Sequence, residues 1–250
     1  MTIFDRAAAD YEAVRPSYPA ALVDDVIALG GVAPGARVVE VGSGTGQATR
    51  LFAARGLAVT AVEAGTAMAA ATRAAVPGAI VVQARFEDLT LPRAFALVYS
   101  ATAWHWLDPA VAYARAHDAL VPGGALALFW NVHVRGDDDV GFFDATQDLY
   151  EAAGMARLRL APERHDGEDR APAIVASRHF GDVVRRRYPW RAEYDARTYA
   201  RLIGTYSDHL ALPDDVRARL LDGIAALIDT RFGGRIAKHY LADLYVARVI

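Results

Sequence analysis

The chain has 250 residues, 54% of them hydrophobic, with a formal net charge of −3 and no cysteine. This length suits one α/β domain with additions and is too short for two full domains. The lack of cysteine excludes a disulfide framework and a thiol nucleophile, and the small negative charge excludes a general attraction to nucleic acid or anionic membranes.

The sequence also bears on the cellular location and the partners of the protein. Its first residues lack the basic start and apolar block of a secretory signal, and no apolar run reaches membrane-spanning length. The basic run at 185–187 adjoins apolar residues, which is typical of an edge strand with solvated arginines rather than a nucleic-acid surface. We therefore expect a cytoplasmic protein without a nucleic-acid or membrane partner. The sequence leaves open whether it is a monomer or a dimer.

The first 135 residues alternate between helix-like and strand-like segments, which predicts a parallel sheet with crossover helices. The predicted helices cover 23–29, 47–55, 66–75 and 109–120, the last two with Thr66 and Asp108 as N-caps. The predicted strands cover 37–41, 58–63, 79–83, 95–100 and 125–131, with a turn at 121–124 before the last.

The pattern changes in the second half of the chain. Residues 159–172 are polar and interrupted by prolines, which predicts a mobile segment. The predicted helices of this half cover 142–153, 198–206 and 214–230. A sixth strand is predicted over 180–187, continuing after a turn into 190–194, and a last, antiparallel strand over 235–249.

Three glycines, Gly42, Gly44 and Gly46, follow the first strand at alternate positions and precede a predicted helix. Without a Cβ, such a turn lets a ligand approach the backbone and meet the amides of the turn and the next helix. A dinucleotide fingerprint would place the third glycine at position 47, where Gln47 stands. An NAD(P)-dependent oxidoreductase is therefore an alternative that the spacing disfavours.

Glu40 stands two residues before the first glycine, and an acid there suits a ligand with a cationic amino group. The pattern acid-x-Gly-x-Gly-x-Gly resembles the first motif of class I methyltransferases, which bind S-adenosylmethionine. That resemblance implies a Rossmann-like α/β fold. Its sheet would have seven mostly parallel strands with an antiparallel last strand, helices on both faces, and a helical cap between strands six and seven.

Further candidates for the cofactor follow strands two and three. Glu63 ends the second strand, where an acid accepts hydrogen bonds from both ribose hydroxyls, and Ala64 is next to it. Met68 suits either the adenine or the core. Phe86 and Glu87 resemble the loop that contacts the adenine edge, although Arg85 stands where an acid is common. A plain surface loop is the alternative.

The segment after strand four contains Ala101, Trp104, His105 and Trp106. One tryptophan is expected to anchor this loop in the core. The functional hypothesis for Trp104 is an aromatic face near the sulfonium. His105 is a candidate to orient a substrate or to accept its proton, with a structural role as the alternative.

Residues 11–19, 42–47 and 103–108 together point to a more specific group within this family. They are similar to the type 11 group of small-molecule methyltransferases, which includes trans-aconitate methyltransferase-like enzymes, and similarity extends to 202–209. It implies that Tyr11, Arg15 and Tyr18 belong to a flap over the cofactor. Arg15 would bind the cofactor carboxylate or an acidic substrate. The alternative is a rigid segment that packs on the domain.

We expect a single domain over 1–250, with a flap at 1–29, a cofactor-binding core at 30–135, and a substrate-side cap with the final strands at 136–250. Tyr206 and His209, on one face of a predicted helix, are candidates to close the pocket, and Asn131 and His133 leave strand five on the same edge. The catalytic candidates are His105, Tyr206 and His209. No metal is required.

The predicted function is transfer of a methyl group from S-adenosylmethionine to an O, N or C atom of a small molecule, with carboxylic acids among the candidates. A carboxylate nucleophile would need no general base, whereas a hydroxyl or a protonated amine would need one. The alternatives are an oxidoreductase and a regulatory protein that binds S-adenosylmethionine without turnover.

Overall fold

The computed structural model describes residues 14–136, 141–156, 161–162 and 169–250. The expected contact of Tyr11 with the cofactor lies outside these residues, as do Asp137–Asp139 and most of the predicted mobile segment. Across the described ranges, no helix is both long and apolar enough to cross a membrane.

A single mixed sheet forms the centre of the molecule. Its strand order is β3-β2-β1-β4-β5-β8-β7, with β1 to β5 parallel and β8 antiparallel to both of its neighbours. A two-residue strand, β6, pairs with the end of β5. The predicted parallel sheet with an antiparallel last strand is confirmed. The strands are β1 Arg37–Val41, β2 Ala58–Glu63, β3 Ile80–Gln83, β4 Phe95–Ala101, β5 Leu120–Arg135, β6 Ala161–Pro162, β7 Phe180–Asp195 and β8 Arg235–Val249.

Helices cover both faces of the sheet and form a cap. The helices are α1 Ala20–Gly30, α2 Gln47–Ala53, α3 Thr66–Ala75, α4 Pro109–Ala119, α5 Phe142–Ala145, α6 Gln147–Ala152, α7 Ala171–Ala176, α8 Ala196–Ile203, α9 Ser207–Leu210 and α10 Asp214–Arg231. The cap helices α8, α9 and α10 lie between β7 and β8, as predicted. Asp108 accepts a hydrogen bond from the amide of Ala110 at 2.9 Å, which confirms the predicted N-cap of α4.

Alternation along the strands separates the core into two layers. Val39 of β1 packs with Trp104 and Tyr113 on one face of the sheet, whereas Val38 packs with Leu22 and Phe52 on the other. A third cluster lies under the cap, where side chains of β7 and β8 meet those of α8 and α10. The sheet therefore continues beyond the nucleotide-binding part of the fold and supports the cap.

Several predicted boundaries were wrong for identifiable reasons. The turn expected at 121–124 is an irregularity within β5, where the pairing with β4 jumps from Leu120 to Ala125. The turn expected before 190 is absent because β7 is an edge strand, where Pro189 needs no ladder donor. Asn131 and His133 consequently lie within β5 and do not leave it.

Three helix predictions also need correction. Gly65, and not Thr66, is the N-cap of α3. The helix predicted over 142–153 divides into α5 and α6 at Thr146, whose hydroxyl donates to the carbonyl of Phe143 at 2.8 Å. The helix predicted over 198–206 begins at Ala196 and ends at Ile203.

The basic run at 185–187 lies on edge strand β7, as expected, but its arginines are not all solvated. Arg185 is half-buried and donates through two nitrogens to the carboxylate of Asp243, at 2.9 and 2.5 Å. The pair holds β7 to β8.

Candidate functional site

A cavity of about 840 Å³ lies at the carboxyl ends of the parallel strands, under the cap. This is the place where open α/β sheets bind ligands. We distinguish two parts of its lining, and the residues of the loop after β4 that also line it, among them His105 and Trp106, lie between them. The turn half consists of Val41, Gly42, Gly44, Val62, Glu63, Ala64, Met68, Ala84, Phe86, Glu87 and Ala101. The cap half consists of Arg15, His133, Phe143, Tyr150, Tyr199, Ile203, Tyr206, Asp208, His209 and Lys238.

The glycine turn has the positive φ angles that the sequence predicts. Gly42, Gly44 and Gly46 have φ values of 74°, 57° and 85°. A Cβ on Gly42 would lie 2.4 Å from that of Ala103, so no side chain fits there. Gly46 does not line the cavity, since a Cβ there would meet Thr72 of α3. Only two of the three predicted glycines therefore form the cavity wall.

The amides of this turn bond within the protein. Those of Gly42 and Ser43 donate to the carbonyl of Val62 at 2.8 and 3.2 Å, and that of Gly46 donates to the carbonyl of Ser43 at 2.9 Å. These amides are therefore engaged within the protein, contrary to the expectation that they meet a ligand.

Glu63 is held firmly at the cavity wall. Its two carboxylate oxygens accept the amides of Gly44 and Gly65, each at 2.8 Å. The two amides therefore fix the orientation of this carboxylate at the end of β2.

Glu40 is not part of the cavity wall. The pleat of β1 directs it away from the cavity, where it is 1% exposed and accepts hydrogen bonds from Thr49 and Tyr99 at 2.5 and 3.0 Å. Burial raises the pKa of this carboxyl to about 8. The acid that the sequence places near a cationic amino group thus lies between β1 and α2, outside the cavity lining.

The residues expected around the adenine lie together. Ala64, Met68, Phe86 and Glu87 all line the cavity, with Met68 and Phe86 buried. The carboxylate of Glu87 accepts from Arg85 at 3.2 Å. The arginine that departs from the family pattern thus pairs with the neighbouring acid.

The loop after β4 separates its two tryptophans. Trp104 is buried against Phe86 and Tyr113, with ring centroids 6.2 and 5.3 Å away, and does not line the cavity. Trp104 is therefore the tryptophan that anchors this loop in the core. Trp106 is 58% exposed and lines the cavity, as does Ala101.

His105 lines the cavity with one ring nitrogen already engaged. The indole N–H of Trp130 donates to its Nδ1 at 3.2 Å. Since an indole only donates, Nδ1 carries the lone pair and Nε2 carries the proton of the neutral ring. This arrangement suits a donor that orients a substrate better than a base.

The segment before α1 is fastened to the cap. The guanidinium of Arg15 donates to the hydroxyl and the carbonyl of Thr205 at 2.8 and 2.9 Å and stacks 4.6 Å above the ring of Tyr206. Gln47 donates to the carbonyl of Arg15 at 3.1 Å. Arg15 lines the cavity, whereas Gln47 does not.

Tyr18 also lies outside the cavity lining. Its hydroxyl shares a hydrogen bond of 2.8 Å with Thr102, and its ring packs edge-on against Phe129. The predicted role over the cofactor is therefore replaced by a packing role, the alternative that the sequence left open.

Two predicted residues of the cap, Tyr206 and His209, line the cavity, with ring centroids 5.7 Å apart. Tyr206 precedes α9 instead of sharing a helix with His209. His209 is buried, with Nδ1 2.8 Å from Asp208 and Nε2 3.3 Å from the hydroxyl of Tyr150. An acid that fixes one nitrogen and leaves the other toward a hydroxyl is typical of a general base.

Comparison with known proteins identifies the family of this chain. Residues 39–128 match the type 11 family described as a methyltransferase domain. An uncharacterized methyltransferase of Mycobacterium tuberculosis is 30% identical over 228 residues, 91% of this chain and 86% of that protein. The chain belongs to the class I S-adenosylmethionine-dependent methyltransferases.

More distant relatives share the methyltransferase fold. An uncharacterized methyltransferase of Schizosaccharomyces pombe is 22% identical, over 89% of this chain and 85% of that protein. A structure from Anaeromyxobacter dehalogenans, provisionally assigned as a type II methyltransferase, has a TM-score of 0.61 and 22% identity, over 94% of this chain and 98% of that one.

A phosphoethanolamine N-methyltransferase of Haemonchus contortus, solved with phosphomonomethylethanolamine and S-adenosylhomocysteine, has a TM-score of 0.56 and 17% identity. The match covers 98% of this methyltransferase but only 57% of the worm chain.

Sequence reasoning missed part of this methyltransferase site. Lys238 of β8 is buried and lines the cavity, and Phe143, Tyr150 and Tyr199 line it too. Burial, reinforced by the positive charge of Arg15, lowers the pKa of Lys238 to about 7. One feature of the sequence sets this residue apart: Lys238 is the only lysine among 27 lysine and arginine residues.

His133 was noted but given no role. Burial and the charges of Lys238 and Arg15 lower its pKa well below the usual value. The imidazole is therefore neutral near neutral pH, with Nε2 3.4 Å from the hydroxyl of Tyr206.

Proposed function

We propose that this methyltransferase binds S-adenosylmethionine in the turn half and methylates an O, N or C atom of a small molecule in the cap half. The observation that carries this proposal is the carboxylate of Glu63, fixed by the amides of Gly44 and Gly65 at the wall of the cavity. Gly42 and Gly44 line the cavity beside it, both with positive φ angles.

The cofactor would be held by the predicted residues that line the turn half, with Arg15 above them. The set proposed to bind it comprises Arg15, Gly42, Gly44, Glu63, Ala64, Met68, Phe86, Glu87 and Ala101. When bound, S-adenosylmethionine supplies a methyl group that its sulfonium already activates. The chain's main tasks are then to align the acceptor and to exclude water, and positioning of this kind supplies about 7–11 kcal/mol in favourable cases.

Proton removal would depend on the acceptor. A carboxylate needs no base, whereas a hydroxyl or a protonated amine does. His209 is the better placed of the two predicted histidines, because Asp208 fixes its Nδ1 and its Nε2 lies toward the hydroxyl of Tyr150. His105 would orient the acceptor by donating from Nε2, since its Nδ1 is engaged by Trp130.

We also propose a division of tasks along the chain. Residues 30–135 would hold the cofactor, the segment before residue 30 would close over it, and residues 136–250 would select the acceptor. This division is supported by Arg15, which bonds to Thr205 of the cap, and by its carbonyl, which accepts from Gln47 beside the glycine turn.

Two measurements test the proposed function. Calorimetry should show binding of S-adenosylhomocysteine and none of NAD, and tight NAD binding without a response to S-adenosylhomocysteine would overturn it. Transfer of a labelled methyl group should then be screened over small carboxylic acids, phenols and amines. Carboxylic acids are the first candidates because the cap half contains Lys238, a cation outside the proposed cofactor set.

A further inference from the structure

Lys238 is unusual in the cap half both for its burial and for its neighbours. Its residue is 3% exposed, and its Nζ lies 5.4–5.8 Å from the ring centroids of Phe143, Tyr199, Tyr206 and Tyr240. Faces of aromatic rings attract a cation, but they replace only part of the hydration that burial removes. These rings therefore do not supply full hydrogen-bond acceptors for the N–H groups of the ammonium.

No carboxylate neutralises this ammonium among the residues that the structure describes. Asp208 is the acid whose charge acts on it, and that carboxylate already bonds to the amide and ring of His209. Arg15 adds a second positive charge, because its guanidinium stacks on the ring of Tyr206 that also faces Lys238. Burial and the charges of Lys238 and Arg15 lower the pKa of His133, so this ring is neutral, and burial raises the pKa values of Tyr199, Tyr206 and Tyr240. His209, next to Tyr206, already contacts Asp208.

The position of Lys238 on β8 indicates which ligand it serves. The first residue of β8 that pairs with β5 is His239, so Lys238, one residue earlier, lies where β7 and β8 extend beyond β5 under the cap. Its ring contacts are to residues of β8 and of the segments that surround the acceptor space, and none is to the turn half. The group it binds is therefore expected on the acceptor side.

We propose that Lys238 binds a carboxylate or phosphate group of the methyl acceptor and so makes this methyltransferase selective for anionic substrates. The inference rests on the proposed function, because it places the cofactor in the turn half. Two further observations support it. The cavity that Lys238 lines also contains Arg15, and the lowered pKa of Lys238 is what an ammonium shows when its counterion is missing.

The single lysine makes a direct test possible. In protein labelled with ¹⁵N and ¹³C only in lysine, Lys238 gives the one side-chain ammonium signal, and K238M confirms the assignment by removing it. With saturating S-adenosylhomocysteine, succinate, benzoate or inorganic phosphate should shift this signal saturably and raise its titration midpoint by about one unit or more. Succinamide and benzamide should leave it unchanged. Lack of response to all three anions would overturn the proposal.

A second arm separates the acceptor from the cofactor as the source of the anion. S-adenosylhomocysteine carries a carboxylate, whereas 5′-methylthioadenosine does not. We expect both nucleosides to leave the titration midpoint of Lys238 low until an anion is added. A midpoint that rises with S-adenosylhomocysteine alone would assign Lys238 to the cofactor and overturn the proposal. If S-adenosylhomocysteine does not bind at all, the proposed function fails, and the anion titration of the protein alone still tests Lys238.

Kinetics provide the third arm once an anionic acceptor is found in the methyl-transfer screen. K238M should raise the KM for that acceptor by about 10- to 100-fold, the cost of one charge-assisted hydrogen bond. The KM for S-adenosylmethionine should stay within about threefold. K238R should restore part of the loss, and R219M, which removes a surface cation of α10, should have no effect. A fall in kcat alone, with loss of the pH dependence, would make Lys238 a base and overturn the proposal.

Discussion

The two halves of the cavity are built in different ways. The turn half comes from short stretches at the ends of β1, β2, β3 and β4 and from the start of α3, and it consists of backbone, apolar side chains and the acids Glu63 and Glu87. The cap half brings together residues as distant in the chain as Arg15 and Lys238, and it consists of aromatic rings and charges. The turn half is therefore local in sequence, whereas the cap half, which we propose selects the substrate, depends on long-range contacts.

The largest effect is expected in the turn half, at Gly42. An alanine there would need a φ near 74° and would bring its Cβ to 2.4 Å from that of Ala103. We expect Gly42→Ala to lower the free energy of unfolding by about 3 kcal/mol, from backbone strain and overpacking together. Urea unfolding measures this change, and calorimetry should show that the variant no longer binds S-adenosylhomocysteine.

Gly35→Ala is the matched control. Gly35 has a φ of 73°, but nothing lies within 4 Å of a Cβ there. It should lose only about 1 kcal/mol, the part due to backbone strain. Equal losses in the two variants would show that Gly42 needs its glycine for backbone freedom and not for the close approach of Ala103.

The next largest effect is expected on cofactor affinity, where Glu63 is compared with Glu87. Glu63→Ala should weaken binding of S-adenosylhomocysteine by about 1.5–3 kcal/mol, the range for a hydrogen bond to a charged group. Glu87→Ala, in the same half, should cost less than about 1 kcal/mol because Arg85 competes for that carboxylate. Calorimetry decides between them, and unchanged affinity in the Glu63 variant would contradict its proposed role.

The sequence predicts the turn half well and the cap half poorly, for physical reasons. Gly42, Gly44, Glu63 and Met68 follow from the order of strand, turn and helix, which a local pattern fixes. The face that Glu40 occupies also follows from the sequence, because the two-residue period of β1 places it opposite Val39 and Val41. A local sequence pattern predicts where a strand ends more readily than it predicts on which face of the sheet a given side chain lies.

The cap half has no such local signal. Lys238 and Tyr199 meet only because β7 and β8 extend together beneath α8, and neither the length of those strands nor their pairing follows from hydrophobic periodicity. Trp104 and Trp106 make the same point within three residues. One is buried and the other 58% exposed, although the sequence treats them alike.

In the cap half, the burial of Lys238 should make the free energy of unfolding depend on pH. Its folded-state pKa, about 7, lies below its usual value of 10.5. Between these values the unfolded chain holds a proton that the folded chain lacks, so stability rises with pH. Relative to K238M, the wild type should gain up to about 1.4 kcal/mol per pH unit between about pH 8 and about pH 10. Urea unfolding of both proteins measures the difference, and a difference independent of pH would contradict it.

Glu40, beneath the turn half, should behave in the opposite way. Its folded-state pKa is raised from 4.5 to about 8, so the stability it contributes is present at low pH and is lost as pH rises through that interval. Relative to Glu40→Gln, the wild type should lose up to about 1.4 kcal/mol per pH unit between about pH 5 and about pH 7.5. The same unfolding series detects it, and a wild type that gains stability over this interval would show that the acid is ionised.

The smallest effect is expected at His105, on the border between the two halves. A general base needs a lone pair directed at the substrate, but Nδ1 of His105 accepts the indole N–H of Trp130 and Nε2 carries the proton. His105→Gln should therefore lower kcat/KM by less than about tenfold, or about 1.4 kcal/mol, and leave the shape of its pH profile unchanged. A loss of 100-fold or more, together with loss of the acidic limb, would require the ring to release Trp130 during turnover. In that case the turn half would supply the base as well as the cofactor site, and the cap half would serve for recognition alone.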